Sequence, residues 1–191
     1  MYTWGYLKNS ILSKLDMDES EADNLSYIDR FPYYANEAMT MICSTVKPKR
    51  TFYCVDVTEN SVITMPSDFI SFGDDRNTID EDIGYGDRMI RELSDEDFEY
   101  VGYNQINCKS IGKYKISYNA RWCSFENVPD GELNVPVDVL ECIPSYVASQ
   151  CMKVDDEQKA AMLRNEFEML VARIDDTNYK STKTFKIGGD W

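Results

Sequence analysis

Apolar residues recur at helical spacing over the N-terminal part of the chain. Residues 3–15 repeat them every three or four positions, which predicts an amphipathic helix. An acidic break follows over residues 16–23, and a second helical pattern covers residues 25–42. Pro32 interrupts that pattern, because proline lacks the amide hydrogen that a helix interior needs. We therefore predict two helices, with a kink or a new start at Pro32.

The spacing changes to alternate positions in the middle of the chain, which is typical of strands. Residues 51–58 are β-branched and aromatic, and residues 62–65 return after a turn, so this pair predicts a hairpin. Residues 105–109 and 114–118 predict a second hairpin. Two tyrosines and an isoleucine alternate in the last run, which indicates that one of its faces is buried.

Helical spacing returns towards the C-terminal end. Pro136 is expected in the first turn of one helix, whose apolar positions continue past an internal proline, Pro144. Asp155 and Asp156 precede the most regular helical pattern of the chain, which ends before Asp175. The sequence therefore predicts a second pair of helices.

These elements predict an α+β fold: a small helical bundle with a β-hairpin insertion and an extended C-terminal tail. We expect a single domain over residues 1–176. Its helical body comprises residues 1–48 and 136–176, and its β-rich insertion comprises residues 49–135. Residues 177–191 form the C-terminal tail.

A long acidic connection, Gly73–Glu99, lies inside the β-rich insertion. Residues 74–99 contain eleven acidic and three basic residues, a net charge of −8. Long connections in compact domains are commonly functional or mobile. Its apolar residues are spaced too irregularly for a helix or strand of the main core, so we expect contact across a subunit boundary, and poor order in the free protein. The residues expected to make that contact are Ile83, Tyr85, Met89 and Ile90.

The C-terminal tail alternates large apolar residues with polar ones, which is the period of an extended strand. It carries three lysines and a net charge of +2 over residues 177–191. A single strand with an apolar face is unstable in water, so the tail either folds back on its own β insertion or docks on another chain. We favour docking on another chain, because residues 175–178 and two late glycines allow the segment to leave its own subunit. The residues predicted to bind the partner are Tyr179, Lys183, Phe185, Lys186, Ile187 and Trp191.

Composition narrows the classes of function. The 191 residues include 34 acidic and 20 basic residues, a net charge of −14, and no histidine. The absence of histidine excludes Ser-His-Asp and Cys-His catalysis and histidine-based metal sites. The acidic balance argues against wrapping nucleic acid, because phosphate binding needs a basic surface.

We predict no cofactor, metal ligand or catalytic residue, and we expect that the protein is not an enzyme. The six cysteines contain no C-x-x-C pair, so we interpret them as small buried hydrophobic residues. The sequence Gly84-Tyr85-Gly86 lacks the third glycine of a dinucleotide-binding turn. Residues 80–84 resemble part of a calcium loop, but the glycine comes one place early, and we expect a solvated acidic loop.

The chain shows no targeting signal. Its apolar runs do not approach the length of about 18 residues that a membrane span needs. The first residues, Met1–Lys8, lack the basic and apolar regions of a signal peptide. We therefore expect a protein that is made in a reducing cytoplasm and does not bind membranes.

Several short sequence motifs, which we call phrases, follow one another along the chain. Asn-Glu-Ala-Met occupies residues 36–39, Met-Pro-Ser-Asp-Phe-Ile occupies residues 65–70, and Tyr-x-Ile-x-Tyr occupies residues 114–118. Val135-Pro136 then precedes a Tyr-Val-Ala phrase at residues 146–148. The last phrase consists of Ala160, Phe167 and Glu168.

The order and spacing of these phrases over residues 25–175 resemble the head-to-tail adaptor (connector, or neck) proteins of tailed bacteriophages. The acidic connection and the two prolines within helical patterns have no counterpart in that resemblance. The resemblance implies a virion structural protein at the neck, in a homo-oligomeric ring that is usually twelve-fold. Such a ring sits beneath the portal and extends the DNA channel towards the phage tail. The acidic connection is then expected to face a neighbouring copy or that channel.

The resemblance also implies the partners. They are the portal protein, on which the C-terminal tail is expected to dock, the proteins of the phage tail or of further neck rings, and other copies of the chain. Genomic DNA is expected to pass without specific binding, and a strongly acidic channel wall repels its phosphates. The acidic charge is equally consistent with solubility alone.

Two other classes of function compete with this hypothesis. An acidic regulator that mimics DNA would be a monomer or dimer, with acids arrayed on one face and a tight basic partner. A hydrolase with paired carboxylates would need a concave site, which the sequence does not indicate. Binding to a portal distinguishes the adaptor from both alternatives.

Overall fold

The polypeptide folds into helices and two antiparallel sheets. The computed structural model describes residues 2–57, 62–72, 79–82, 90–92, 98–109, 111–125 and 131–174, and for 79–82 and 90–92 it describes the backbone alone. Within these residues the chain forms five α-helices, a short 3₁₀ helix and eight strands. The predicted α+β fold class is confirmed.

The first two helices begin at side chains that cap their free backbone amides. Helix α1 (Trp4–Leu15) follows Thr3, whose hydroxyl accepts a hydrogen bond from an amide of the first turn at 3.2 Å. Helix α2 (Glu19–Asn24) has a capping box formed by Asp18 and Glu21. The helix predicted at residues 3–15 is therefore confirmed, whereas the acidic break contains a short helix that we did not predict.

A proline marks the start of the third helix. Helix α3 (Phe31–Thr45) carries Pro32 in its first turn and follows the 3₁₀ helix Ile28–Arg30. Proline is tolerated there, because the amides of a first turn have no partner within the helix. The new start predicted at Pro32 is confirmed.

The last two helices form the pair predicted from the C-terminal pattern. Helix α4 (Val137–Met152) follows Pro136 and contains Pro144 in its interior. Helix α5 (Glu157–Val171) is capped by Asp156, whose carboxylate accepts from an amide of the first turn at 2.9 Å. Asp156 therefore starts α5, as its position before the apolar repeat predicted.

Helix α4 lies at the centre of the helical part. It packs against α1, α3 and α5. Its buried residues include Val139, Ile143 and Val147, each at 0% exposure. Burial of an aliphatic side chain of this size contributes about 1.5–3 kcal/mol, so α4 organises the larger of two hydrophobic cores.

The eight strands between α3 and α4 form two sheets. In chain order they are β1 (Lys49–Val57), β2 (Val62–Thr64), β3 (Phe69–Phe72), β4 (Ile79–Asp82), β5 (Ile90–Glu92), β6 (Phe98–Gly102), β7 (Gln105–Cys108) and β8 (Gly112–Ala120). The five-stranded sheet has the order β1-β8-β4-β5, with β3 also paired to β8. The three-stranded sheet has the order β2-β7-β6. Every described pairing is antiparallel.

Both predicted hairpins are wrong. Strand β1 pairs with β8 along all nine of its residues, and β2 pairs with β7 instead of β1. Strands β7 and β8 follow one another in the chain but belong to different sheets. The long β1–β8 pair is favoured because it places Tyr53 opposite Ile116 and Val55 opposite Tyr114, whereas β2 has only three residues to offer.

The alternation predicted for β8 is confirmed. Tyr114, Ile116 and Tyr118 are 2%, 0% and 5% exposed and belong to the second hydrophobic core, which lies within the β part. The intervening residues of β8 are exposed or half-buried, as expected for a sheet with one solvated face.

The acidic connection contributes strands to this sheet, contrary to our prediction. Ile79 begins β4, which pairs with β8, and Ile90 begins β5, which pairs with β4. The physical reason is the length of β8, because β3 covers only its C-terminal end and leaves residues 113–116 available for pairing. Irregular spacing of apolar residues therefore did not exclude short strands.

The cysteines do not all fit the prediction that they are buried. Cys43, Cys108, Cys142 and Cys151 are buried, but Cys123 is half-buried and Cys54 is exposed. Cys54 lies on the solvated side of β1, where alternate residues point away from the core.

Candidate partner-binding surfaces

An ion pair between a buried lysine and a partly exposed aspartate joins the helical and β parts. Lys47 lies between α3 and β1, and its side chain is 5% exposed. Its ammonium donates to the carboxylate of Asp138 in the first turn of α4. The indole nitrogen of Trp122, just after β8, donates to the Lys47 carbonyl oxygen at 3.0 Å. These bonds fix the start of β1 and the end of β8 relative to α4.

Asn36 fastens the chain that leaves β8 onto α3. Its Oδ1 accepts from the amide of Phe125 at 2.8 Å, and its Nδ2 donates to the carbonyl oxygen of the same residue at 3.3 Å. The Phe125 ring is buried and lies 5.6 Å from the ring of Trp4 in α1. The asparagine of the Asn-Glu-Ala-Met phrase is thus a structural residue that connects α3 with a distant segment.

The Pro-Ser-Asp-Phe phrase is held against the end of β8. Asp68 accepts a hydrogen bond from the Tyr118 hydroxyl at 3.0 Å, and its carbonyl oxygen accepts from the amide of Arg121 at 2.9 Å. The guanidinium of Arg121 donates to the carbonyl oxygen of Ser67 at 2.9 Å. Burial, reinforced by the bond to Asp68, raises the pKa of Tyr118 to about 12. Two phrases of the resemblance therefore contact each other directly.

Tyr146 connects three helices. Its ring lies 5.0 Å from the Phe167 ring in α5, and the Arg164 guanidinium lies 5.0 Å from the centre of the Tyr146 ring. Burial and a hydrogen bond with Glu37 of α3 raise the pKa of Tyr146 to about 12. The tyrosine therefore stays neutral at physiological pH and serves the packing of α3, α4 and α5.

An aromatic cluster connects the two sheets and reaches the surface. Phe69 lies 4.8 Å from Phe72, 5.8 Å from Tyr103 and 5.9 Å from Tyr118, measured between ring centres. Tyr100 lies 4.8 Å from Phe72. Tyr103 is 78% exposed and Tyr100 is 51% exposed. The cluster offers rigid aromatic area of the kind that is enriched in protein interfaces.

The solvated face of β1 and β8 combines apolar and basic groups. Phe52 is 56% exposed, and the Lys115 ammonium lies 4.5 Å from the centre of its ring. Lys113 stands opposite Asp56 in the β1–β8 register, and Lys115 stands opposite Cys54. Cation–π and cross-strand pairs of this kind contribute modestly to stability.

The titration behaviour of the thiols does not favour nucleophilic chemistry. Burial raises the pKa of Cys108 to about 11 and, helped by nearby carboxylates, that of Cys142 to about 12. Burial also raises the pKa of Cys123 and Cys151, to about 11 and about 12 respectively. These thiols are protonated at neutral pH, whereas reactive cysteines are thiolates.

In the described part of the chain, no three metal-ligating side chains of histidine, cysteine, aspartate or glutamate converge. Among the described helices none is both long and apolar enough to cross a bilayer.

The predicted site residues fall mostly beyond the described ranges. Ile90 is the first residue of β5. The other residues of the predicted loop contact, Ile83, Tyr85 and Met89, lie outside the described residues. So do the predicted partner-binding residues of the C-terminal tail, which are Tyr179, Lys183, Phe185, Lys186, Ile187 and Trp191.

The aromatic cluster and the buried lysine were not predicted from the sequence. Phe69 and Tyr103 are far apart in sequence, so their contact depended on a pairing that local patterns do not reveal. A signal was nonetheless present, because one tyrosine, Tyr100, lies within β6 and another, Tyr103, lies in the short turn between β6 and β7. Lys47 lies at the joint between α3 and β1, and its bond to Asp138 in α4 could not be read from that position.

Comparison with known proteins does not identify the chain. No protein-family model matches it, and no curated protein matches its sequence.

Proposed function

We propose that the protein is a virion structural protein of a tailed bacteriophage, which forms a ring between the portal and the phage tail. The ring extends the DNA channel, and the C-terminal tail of each copy docks on the portal. The proposed location is the neck of the virion, and the protein acts by binding instead of catalysis.

The observation that carries this proposal is the mutual contact of the phrases on which the resemblance rests. Asp68 of one phrase binds Tyr118 of the next, at 3.0 Å. Tyr146 and Phe167, from two further phrases, pack 5.0 Å apart, and Glu37 of the first phrase bonds to Tyr146. A relationship at the level of the fold would place the phrases at positions that hold distant elements together, and these contacts support the proposal in that sense.

The surface supports an assembly role. Aromatic residues are exposed in the β part, and the acidic segment Asp16–Asp23 is exposed on the helical part except for Met17 and Ala22. Acidic walls keep DNA phosphates from adhering, which suits a channel through which a genome passes. A DNA mimic would use the same acidic residues. The adaptor and the mimic therefore differ in the partner that each must bind, which is a portal for the adaptor and a basic protein for the mimic.

The C-terminal tail has a fixed point of departure. Ile174, the last described residue, is 8% exposed and belongs to the helical core. Seventeen residues follow it and include the lysines and aromatic residues predicted to bind the portal. An extended segment of about 3.3 Å per residue spans roughly 55 Å, enough to reach a neighbouring ring.

Deletion of residues 180–191 tests the proposed docking. We expect the truncated chain to keep the melting temperature of the full chain to within about 2 °C, because it retains the described core. We expect it to lose capture by purified portal rings, measured by co-sedimentation. Replacing Lys153 with Glu, in the exposed turn before α5, is a matched surface control and should leave capture unchanged. Undiminished capture of the truncated chain would show that the tail is not the anchor.

A further inference from the structure

The five-stranded sheet ends in two different edges. Strand β1 pairs only with β8, and β5 pairs only with β4, among the strands that the structure describes. The strand order β1-β8-β4-β5 places these two edges at opposite ends of the sheet. The sheet therefore presents two non-identical edges on one subunit, as a head-to-tail contact between copies requires.

Among the residues that the structure describes, strand β1 is a long edge with little protection. It has nine residues in an unbroken register with β8, so no bulge twists it away from an incoming strand. Pairing with another strand is disfavoured at its beginning by Pro48, Lys49 and Arg50. The rest of the strand, Thr51–Val57, contains no proline or lysine. Soluble proteins usually protect such an edge, because its outward amides and carbonyls readily pair with another strand.

The direction of the strands fits a second copy. Each described pair along β1, β8, β4 and β5 is antiparallel, so β5 runs opposite to β1. When a second copy is placed beside the first in the same orientation, its β1 is antiparallel to the β5 of its neighbour. The alternation of strand direction then continues from subunit to subunit without interruption.

The existing registers restrict how β5 and a neighbouring β1 align. Ile90 stands opposite Asp82, Asp82 opposite Lys113, and Lys113 opposite Asp56. Because side chains alternate between the two faces of a sheet, Ile90 must lie opposite an even-numbered residue of the neighbouring β1. Among these alignments, the one that pairs Ile90 with Phe52 also places Glu92 opposite Arg50. This alignment is favoured because it matches two apolar residues and pairs an acid with a base.

We propose that β5 of one copy pairs with β1 of the next, with Ile90 opposite Phe52 and Glu92 opposite Arg50. This contact, the β1–β5 interface, makes the sheets of adjacent subunits continuous around the ring. The inference rests on the proposed ring and names the surfaces that close it.

Charge reversal at the two edges tests the β1–β5 interface. Arg50→Glu opposes two acids at every interface, and Glu92→Arg opposes two bases, so each variant alone should reduce the yield of rings on the portal by about tenfold or more. A mixture of the two single variants in equal amounts should restore assembly. In a ring where the two variants alternate, Glu92 of one variant faces Arg50 of the other. At the next interface the introduced arginine at position 92 faces the introduced glutamate at position 50. The double variant should also assemble.

Native mass spectrometry of each variant with purified portal rings gives the number of bound copies. Lys153→Glu is the matched charge-reversal control, and circular dichroism with thermal melting checks that the single variants fold. Single variants that assemble as well as the parent chain overturn the β1–β5 interface and leave the ring in place. A mixture and a double variant that both fail to assemble also overturn it. A parent chain that stays monomeric on the portal overturns the proposed ring and, with it, the interface.

Discussion

The helical and β parts of the molecule are built differently. The helices surround α4 and bury a continuous core, in which Phe31, Ile42 and Ile143 are each 0% exposed. The β part has a smaller core, a long edge at β1 and exposed aromatic residues such as Tyr103. Under the proposed function, the helices supply stability and the β part supplies surfaces for contact with other chains.

The largest effect on stability is expected from the helical core. Phe31→Ala removes a fully buried ring at the start of α3 and should lower the free energy of unfolding by about 3–5 kcal/mol. Urea denaturation followed by circular dichroism measures this change. Tyr33→Ala in the same helix is the control, because Tyr33 is 69% exposed, and it should change stability by no more than about 0.5 kcal/mol. Equal costs for the two variants would contradict the burial of Phe31 in the helical core.

A smaller effect is expected at the junction of the two parts. Asp138→Ala removes the carboxylate that accepts a hydrogen bond from the nearly buried Lys47 ammonium. It should lower the free energy of unfolding by about 1–3 kcal/mol. Lys47→Met removes the charge together with its desolvation cost, so it should cost less than about 1 kcal/mol. Thermal melting of both variants measures the difference. The importance of the ion pair would be refuted if Lys47→Met were the more damaging change.

The smallest effect is expected in the β part. Tyr118→Phe deletes the hydroxyl that donates to Asp68 at 3.0 Å and should lower the free energy of unfolding by about 1 kcal/mol. The substitution should also change how stability depends on pH, in a direction that follows from the pKa of Tyr118. The pKa of Tyr118 is raised from 10.0 to about 12 in the folded protein, so the unfolded chain releases this proton first. The parent should therefore lose stability between about pH 10 and 12, and Tyr118→Phe should lose less.

Urea titrations of parent and variant at pH 8, 10 and 11.5 measure that difference. Tyr27 and Tyr146 also have pKa values raised to about 12, so both proteins should lose some stability in this range. Identical pH dependence of parent and variant would show that Tyr118 does not resist ionisation in the folded state.

Local signals in the sequence predicted the helices, because a helix is stabilised within its own segment. Thr3, Pro32 and Asp156 each mark a helix start that depends on a few neighbouring residues. The capping box of Asp18 and Glu21 was equally readable, but the density of acids obscured it.

Strand pairing could not be predicted from the same information. The partners β1 and β8 are separated by most of the β part, and proximity in sequence favoured the wrong hairpins. The contacts of Asn36 with Phe125, and of Phe69 with Tyr103, depend on that pairing and on the helix packing. The phrases of the resemblance pointed to several of these residues without showing what they contact.

The mass of the complex formed with the portal tests the central claim most directly. Native mass spectrometry of the full chain, alone and mixed with purified portal rings, reports how many copies bind. We expect a discrete complex with one copy per portal subunit, about twelve if the symmetry matches the usual portal ring. Absence of binding to the portal, together with a stable complex of one chain with one basic host protein, would contradict the adaptor and favour the DNA mimic.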